Sequence, residues 1–372
     1  MAAPVNGFAA FYAYKTGMNK AVILADRLSL PALKLLALLN VLLFLSFLFV
    51  LLFAAGKARA ETPVCSGADL TASLQKEDAA AYAKIQAEAA ATLNGKGLLW
   101  KLEKSGETPS YLFGTMHLTD PRVVTLPAAA QKAFDAADTV VIETTEVLDQ
   151  KKMMATLAGE PDLMMFTDNT TLSSLLSPAD KATVDKALDA RGIPPMSVAK
   201  MKPWILSAMV ALPACELARK AGGAPVLDVK LAQDAKAHGK GLEGLETAAD
   251  QLRAMASLPL DFHMRGLVDT LKLGDRMNDV NETMIVLYQR GEIGMIWPLF
   301  RAILPDETDD PAGYAAFEEA MVTSRNKVMA EHAAPILAKG NAFLAVGALH
   351  LPSPEGLVEL FRKAGYTVTA VN

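Results

Sequence analysis

Two histidines recur in one frame, Gly114-Thr115-Met116-His117-Leu118 and Gly347-Ala348-Leu349-His350-Leu351, in a chain that has only five. Each glycine is followed at the seventh position by a proline, Pro121 and Pro354. A lone G-x-x-H carries little weight; the repeat, with its shared Leu and Pro, carries more. Imidazoles bind metals and move protons near neutral pH, so two delivered to one place make a metal centre or an acid/base pair. Carboxylates stand in comparable positions: Glu143 ends the run Val140-Val141-Ile142, and Glu246 follows Leu242-Glu243-Gly244-Leu245. Two neutral nitrogens with one or two carboxylate oxygens suit Zn, Mn, Co or Fe with water positions left open. The chemistry would be hydrolysis, with a metal-activated water or an adjacent carboxylate as base. The competing readings are two structural histidines at strand ends and, for Glu143, a helix cap or an ion pair. Glu146 and Glu243 read as structural.

Asp228, Gln251, Arg325 and Asn326 form a second tier. A cation at Arg325 would bind a substrate carboxylate or phosphate, or orient Glu143, with ordinary surface pairing as the alternative for each of the four. His238, His263 and His332 lie in helical, charged contexts and are expected on the surface. The sequence contains no G-x-S-x-G elbow and no Walker loop, so other nucleophile and nucleotide schemes fare poorly.

Elements must bring these residues together. The apolar runs Tyr111–Phe113 and Ala342–Val346, each ending at a G-x-x-H glycine, read as buried strands, with Gly114 and Gly347 letting the backbone turn sharply or approach a ligand without a Cβ in the way. Leu98–Leu102, a turn over Lys104–Pro109 and a strand from Ser110 predict a hairpin, followed by a helix over Pro121–Ala137 and a strand over Thr139–Ile142. Residues 147–335 are mostly helical, interrupted by a short strand within Gly239–Leu245. A helix over Pro354–Ala364 and a strand over Thr367–Val371 close the chain. The fold class is α/β: a mixed central sheet built from both ends of the chain, flanked by helices, with a large helical middle. A carboxylate or imidazole at the C-terminal end of such a strand lies on the edge where open α/β sheets assemble their sites.

The N-terminus belongs to export rather than to this fold. Residues 35–55 are an uncharged apolar run preceded by Lys15, Lys20, Arg27 and Lys34 and followed by Ala58-Arg59-Ala60. That describes a secretory signal removed after Ala60. The run's 21 residues are also enough to span a bilayer, and Lys57 and Arg59 disfavour cleavage, so an inner-membrane anchor is the alternative. Met18 offers an alternative start. Residues 1–60 are thus set apart as signal or anchor, 61–97 as a helical segment, and 98–372 as the α/β domain, in the periplasm or another extracytoplasmic space. Without residues 1–60 the chain keeps 30 basic and 40 acidic groups, a net charge near −10, which argues against nucleic acid or anionic lipid as partner. The two cysteines, Cys65 and Cys215, are expected to form a disulfide, with two free thiols as the alternative. Nothing in the sequence addresses oligomeric state.

Tyr111–Leu118, Val140–Glu143, Leu242–Thr247 with Gln251, Arg325-Asn326 and Phe343–Leu351 together resemble the TraB/GumN family, which also includes the Tiki metalloproteases; Lys202-Pro203-Trp204 is similar to a further family feature. The resemblance covers about Leu98 to Val371. It implies a fold related to erythromycin esterase and the haem-binding ChaN-like proteins. It also implies a hydrolase, peptidase-like, that uses a divalent metal (Mn, Co or Zn) on a peptide or protein substrate. Carried onto this chain, His117, Glu143 and His350 match the catalytic and metal-binding positions, with Gly114, Gly347, Glu246 and Arg325 in support. The alternatives are a non-catalytic haem-, metal- or peptide-binding protein of the same fold, or an accessory factor in envelope polysaccharide assembly.

Overall fold

The apolar runs from the two ends of the chain form a single six-stranded sheet in the computed structural model, which describes residues 65–303 and 311–371. The strands are β1 (Leu99–Glu103), β2 (Ser110–Thr115), β3 (Thr139–Ile142), β4 (Gly241–Gly244), β5 (Ala342–Gly347) and β6 (Thr367–Val371). Their order is β4-β3-β5-β2-β1-β6, so β5, from the end of the sequence, is inserted between two early strands. Strands β4, β3, β5 and β2 run parallel, while β1 pairs antiparallel with both β2 and β6. This is the mixed sheet expected from the pattern, with helices on both faces and a large helical region between β3 and β5.

Parallel strands covered on both faces read as continuous apolar runs rather than alternating ones. Leu112, Phe113, Val140, Val141, Phe343, Leu344 and Ala345 are accordingly fully buried. Alternate residues feed two separate cores. Phe113, Val140, Ile142 and Phe343 pack with Phe134 and Leu231 from the helices Ala128–Ala136 and Leu227–Ala237. Leu112, Val141 and Leu344 pack on the other face with Met329, Leu337 and Phe361 from the helices Ser324–Leu337 and Leu357–Lys363. A third core, around Leu188, Leu206, Leu267 and Leu271, belongs to the helical middle alone.

Local chemistry corrects several expected boundaries. The helix expected over Pro121–Ala137 is two, Pro121–Val124 and Ala128–Ala136. Pro127 has no N–H to continue the first and forces an extended residue before it. The helix expected from Pro354 begins at Leu357, after Ser353 at φ +80° and an extended Gly356. Cys65 and Cys215 are joined, closing a loop of 150 residues onto the helix Ala214–Ala221. In the chain-entropy picture such a loop is worth about 4–5 kcal/mol.

The expected membrane character is also corrected. Among the described residues, no helix is long and apolar enough to cross a membrane. The run 35–55 on which that expectation rested, like the signal reading of residues 1–60, lies outside the described residues.

Candidate active site

Strand register brings the chemistry to one edge. Thr115 pairs with Gly347, and Ile142 pairs with both Ala345 and Gly244, so the C-terminal ends of β2, β3, β4 and β5 lie side by side. His117 leaves β2, Glu143 leaves β3, Glu246 follows β4 and His350 follows β5. That edge of a parallel sheet, beside a reversal in strand order, is where α/β folds place ligands.

Convergence is measured best from Gly347. A Cβ built there would lie 3.2 Å from Glu143 Oε1, 3.4 Å from His350 Cδ2 and 3.8 Å from His117 Nε2. The two imidazoles and the carboxylate therefore surround one small space, which stays open because residue 347 has no side chain. The sharp turn expected at each glycine is absent at Gly114, while at Gly347 the strand does end and a 3₁₀ turn, Ala348–His350, follows. Gly347 sits at φ −51°, which any residue adopts, and Gly114 lies inside β2. Their common reason is room: a Cβ on Gly114 would come within 2.7 Å of Leu351 Cδ1 and 3.0 Å of Ala348. The leucine after the second histidine thus packs where the first motif lacks a side chain.

Each imidazole is held through Nδ1. His117 Nδ1 bonds Asp228 Oδ2 at 2.7 Å, and Asp228 Oδ1 accepts from Thr115 Oγ1 at 2.6 Å. His350 Nδ1 lies 2.7 Å from Asn326 Oδ1, while Asn326 Nδ2 donates to the Glu355 carbonyl at 2.9 Å. A carbonyl only accepts, so the Asn326 amide must face it with nitrogen and present oxygen to His350. His350 is then the Nδ1–H tautomer, and its Nε2 lone pair faces Glu143 Oε1 at 3.8 Å. A carboxylate or carbonyl oxygen on Nδ1 is the usual partner of a metal-ligating imidazole.

Glu143 is held on both oxygens. Oε1 accepts from the Gly347 N–H at 2.7 Å, and Oε2 from Gln251 Nε2 at 2.9 Å and Arg325 Nη2 at 2.8 Å. Arg325 also binds Glu246 through Nε at 3.1 Å and through Nη2, and Gln251 reaches Glu246 Oε1 at 2.8 Å. Arg325 and Asn326 begin the helix Ser324–Leu337 directly after a π-helical turn, Glu319–Thr323. Arg325 Nη1 donates back to the Met321 carbonyl in that turn at 2.9 Å. Such turns recur where helices place functional side chains.

The electrostatics separate the three groups. Burial alone would raise Glu143, but His350, His117, Arg325 and the Gly347 N–H outweigh it and bring it down to about 2. Burial lowers His350 to about 4, against the pull of Glu143. The two shifts compete for one interaction: His350 supports the Glu143 anion only while protonated. Near neutral pH His350 is neutral, so His117, Arg325 and Gly347 keep Glu143 ionised. The Asp228 carboxylate raises His117 to about 9. The His117 side chain is 59% exposed, so water screens that attraction.

Of the second tier, all four residues face this site: Asp228, Gln251, Arg325 and Asn326 each bond one of its three groups. The surface expectation holds for His238 and His332, but His263 is buried, its ring packed against Trp204 with centroids 4.8 Å apart. Glu146 caps the helix Ala248–Ala256 through Ala248 N at 3.1 Å. Three contributors escape the sequence reading: Thr115; Tyr288, whose hydroxyl donates to the Gly114 carbonyl at 2.8 Å; and Glu216, which holds Thr119 N and Oγ1 at 2.6 and 2.8 Å. Only Thr115 could have been found, as part of the first motif.

For a divalent ion the donor chemistry fits. Glu143 Oε1 and His350 Nε2 are acceptors around one space, His117 Nε2 joins them once an ion displaces its proton, and both imidazoles are oriented from behind. In their present positions, no group of three or more His, Cys, Asp or Glu among the described residues is arranged to ligate a metal.

The chain belongs to the TraB/PrgY/gumN family, whose pattern it matches over residues 98–370. No curated protein and no solved structure matches it.

Proposed function

We propose that this family member is an exported hydrolase of the peptidase type, in which His117, His350 and Glu143 hold a divalent ion (Mn, Co or Zn). One observation carries the reading: two imidazoles from opposite ends of the chain, each pinned at Nδ1, meet a buried ionised carboxylate at one sheet edge. A bound ion supplies Lewis-acid polarisation of a scissile carbonyl and of water. The protein's part is orientation. Asp228 and Asn326 hold the rings with Nε2 forward, and Gln251, Arg325 and Gly347 keep the Glu143 carboxylate ionised and fixed. A carboxylate held at about 2 is a weak general base, so Glu143 serves as a charge and a ligand rather than as the proton acceptor. Export is supported by the Cys65–Cys215 bond, since disulfides persist in oxidising compartments.

The test is metal analysis of the purified chain beside His117→Ala and His350→Ala, together with digestion of a peptide library supplemented with Mn, Co or Zn. Stoichiometric metal and cleavage, both lost in the variants, are expected. Unchanged metal content and unchanged cleavage in both variants would overturn the assignment. A second reading, binding without turnover, is favoured by the three donors already on Glu143, which leave it little freedom. Bound metal with no cleavage of any library peptide would select that reading.

A further inference from the structure

A second candidate site lies in the helical middle, away from the polar cluster. A cavity of about 320 Å³ includes none of His117, Glu143 or His350, and six aromatic side chains line it: Trp204, Phe262, Trp297, Phe300, Tyr314 and Phe317. Its volume is roughly twice the ~150 Å³ that admits benzene into an apolar protein interior, and it falls in the range of small-molecule sites. The rings present edges as well as faces. Phe262 meets Tyr314 edge-on at 6.2 Å and Trp297 meets Phe317 edge-on at 5.9 Å. Further aromatic rings pack well on such a lining.

One polar group in the wall is unspent. His263 lines the cavity at 6% exposure, and its Nε2 is bonded to the Met255 carbonyl at 2.8 Å. A carbonyl only accepts, so the ring proton is on Nε2 and Nδ1 is a bare acceptor. Among the described residues, the bond from Nε2 is the one side-chain hydrogen bond His263 makes. Burial also holds His263 below its ordinary value, which keeps it neutral. Trp204, from the Lys202-Pro203-Trp204 stretch that the polar site leaves unused, packs against this imidazole at a tilt of 53° and spends its own indole N–H on the Leu163 carbonyl at 3.0 Å. Met255, also in the lining, sits one helical turn beyond Gln251, on the helix that holds Glu143.

We infer that this cavity binds a flat aromatic group carrying one hydrogen-bond donor, an indole or a phenol, with His263 Nδ1 accepting that proton. The aromatic walls give affinity and the imidazole gives orientation. A free aromatic molecule and an aromatic side chain of a peptide share this chemistry.

Gly266 supplies the control. It lines the cavity, and a Cβ there would meet nothing within 4 Å. Gly266→Leu therefore fills the space from a helix interior where Leu is intrinsically the better residue. Calorimetric titration of the full chain with indole should show one site per chain, with 1-methylindole, which lacks the donor, about fivefold weaker. His263→Phe should keep 1-methylindole binding and erase the difference between the two compounds. Gly266→Leu should abolish binding of both while melting at or above the wild-type temperature. N-acetyltryptophanamide binding as tightly as indole assigns the occupant to a peptide side chain; its exclusion assigns it to a free aromatic. The inference is overturned if indole shows no binding at millimolar concentration, if Gly266→Leu binds like the wild type, or if both indoles bind the wild type equally.

Discussion

Arg325→Met removes the one cation that joins Glu143 to Glu246 and leaves the surrounding packing nearly intact. The Arg325 side chain is 12% exposed and its glutamates 7% and 3%, so water cannot replace the lost partner. Burial works against the charge on Arg325, yet the two carboxylates outweigh it and raise its pKa. Breaking a buried pair from one side costs about 3–5 kcal/mol, because the remaining charges stay desolvated. The pH dependence is the sharper test. Glu143 moves from its ordinary 4.5 to about 2 in the folded chain. A depressed carboxylate stabilises the fold above its unfolded pKa, here by about 3 kcal/mol, and that contribution is lost as pH falls from 4.5 toward 2. Without Arg325 that contribution shrinks, since only His117 and the Gly347 N–H remain to hold the Glu143 anion against its burial. Urea midpoints at pH 7, 5 and 4 should place the variant about 3–5 kcal/mol below wild type at pH 7, with the gap under about 2 kcal/mol by pH 4. A gap below about 1 kcal/mol at pH 7, or one that stays constant as the pH falls, would refute the account of how Glu143 is held.

Gly347→Ala puts a methyl group among Glu143, His350 and His117 at a φ of −51°, so the backbone is unstrained and only the site is crowded. Metal content and peptide cleavage should fall by tenfold or more with a stability change within about 2 kcal/mol, whereas Gly114→Ala, pressed on Leu351, should lose stability first. In metal-free protein, NMR titration should find His117 raised above 6.5 but, screened by water, short of about 9, and Asp228→Asn should return it toward 6.5. The His117 pair thus stabilises the fold below 6.5 and stops doing so as pH rises through that raised value. His350 should titrate near 4; burying it neutral costs stability as pH falls from 6.5 toward 4, and Asn326→Asp should raise its pKa measurably. Replacing Cys65 and Cys215 together by Ser should lower stability by about 4–5 kcal/mol, read from the urea midpoint.

The sheet and the three central groups were legible because each rests on local pattern. Val140–Ile142 and Ala342–Val346 are short apolar runs of strand length, and the motif residues follow directly at their ends. What was hidden depends on partners distant in sequence. Asp228 begins the helix Leu227–Ala237, and nothing in its neighbours says that His117 lies 2.7 Å away. Asn326 looks like any polar helix residue until the π turn before it sets the phase that aims it at His350. His263 was misplaced because flanking charges, Asp261 and Arg265, pair with each other at 2.7 Å on the outer face and leave the imidazole to the inside. For the two glycines the sequence allows either a sharp turn or a close approach, and the structure favours the second: the constraint is the space they leave empty.

The helical middle therefore completes the site rather than merely decorating the sheet. The strands deliver His117, Glu143, Glu246 and His350, but the residues that orient and neutralise them, Asp228, Gln251, Arg325 and Asn326, come from helices between β3 and β5. The disulfide joins the same scheme. Cys215 lies on the helix whose Glu216 holds Thr119, two residues past His117, and whose Lys220 reaches the His117 carbonyl at 3.5 Å. Arg219, from the next turn of that helix, lies against both sulfurs. Reduction should then move the His117 loop before it disturbs the sheet, because Glu143 and His350 have no contact with that helix in their hydrogen bonding. NMR of the reduced, metal-free chain is the measurement. The His117 resonance should shift or broaden while that of His350 keeps its titration near 4. Equal effects on both rings would mean that the two halves of the site are held by one rigid frame.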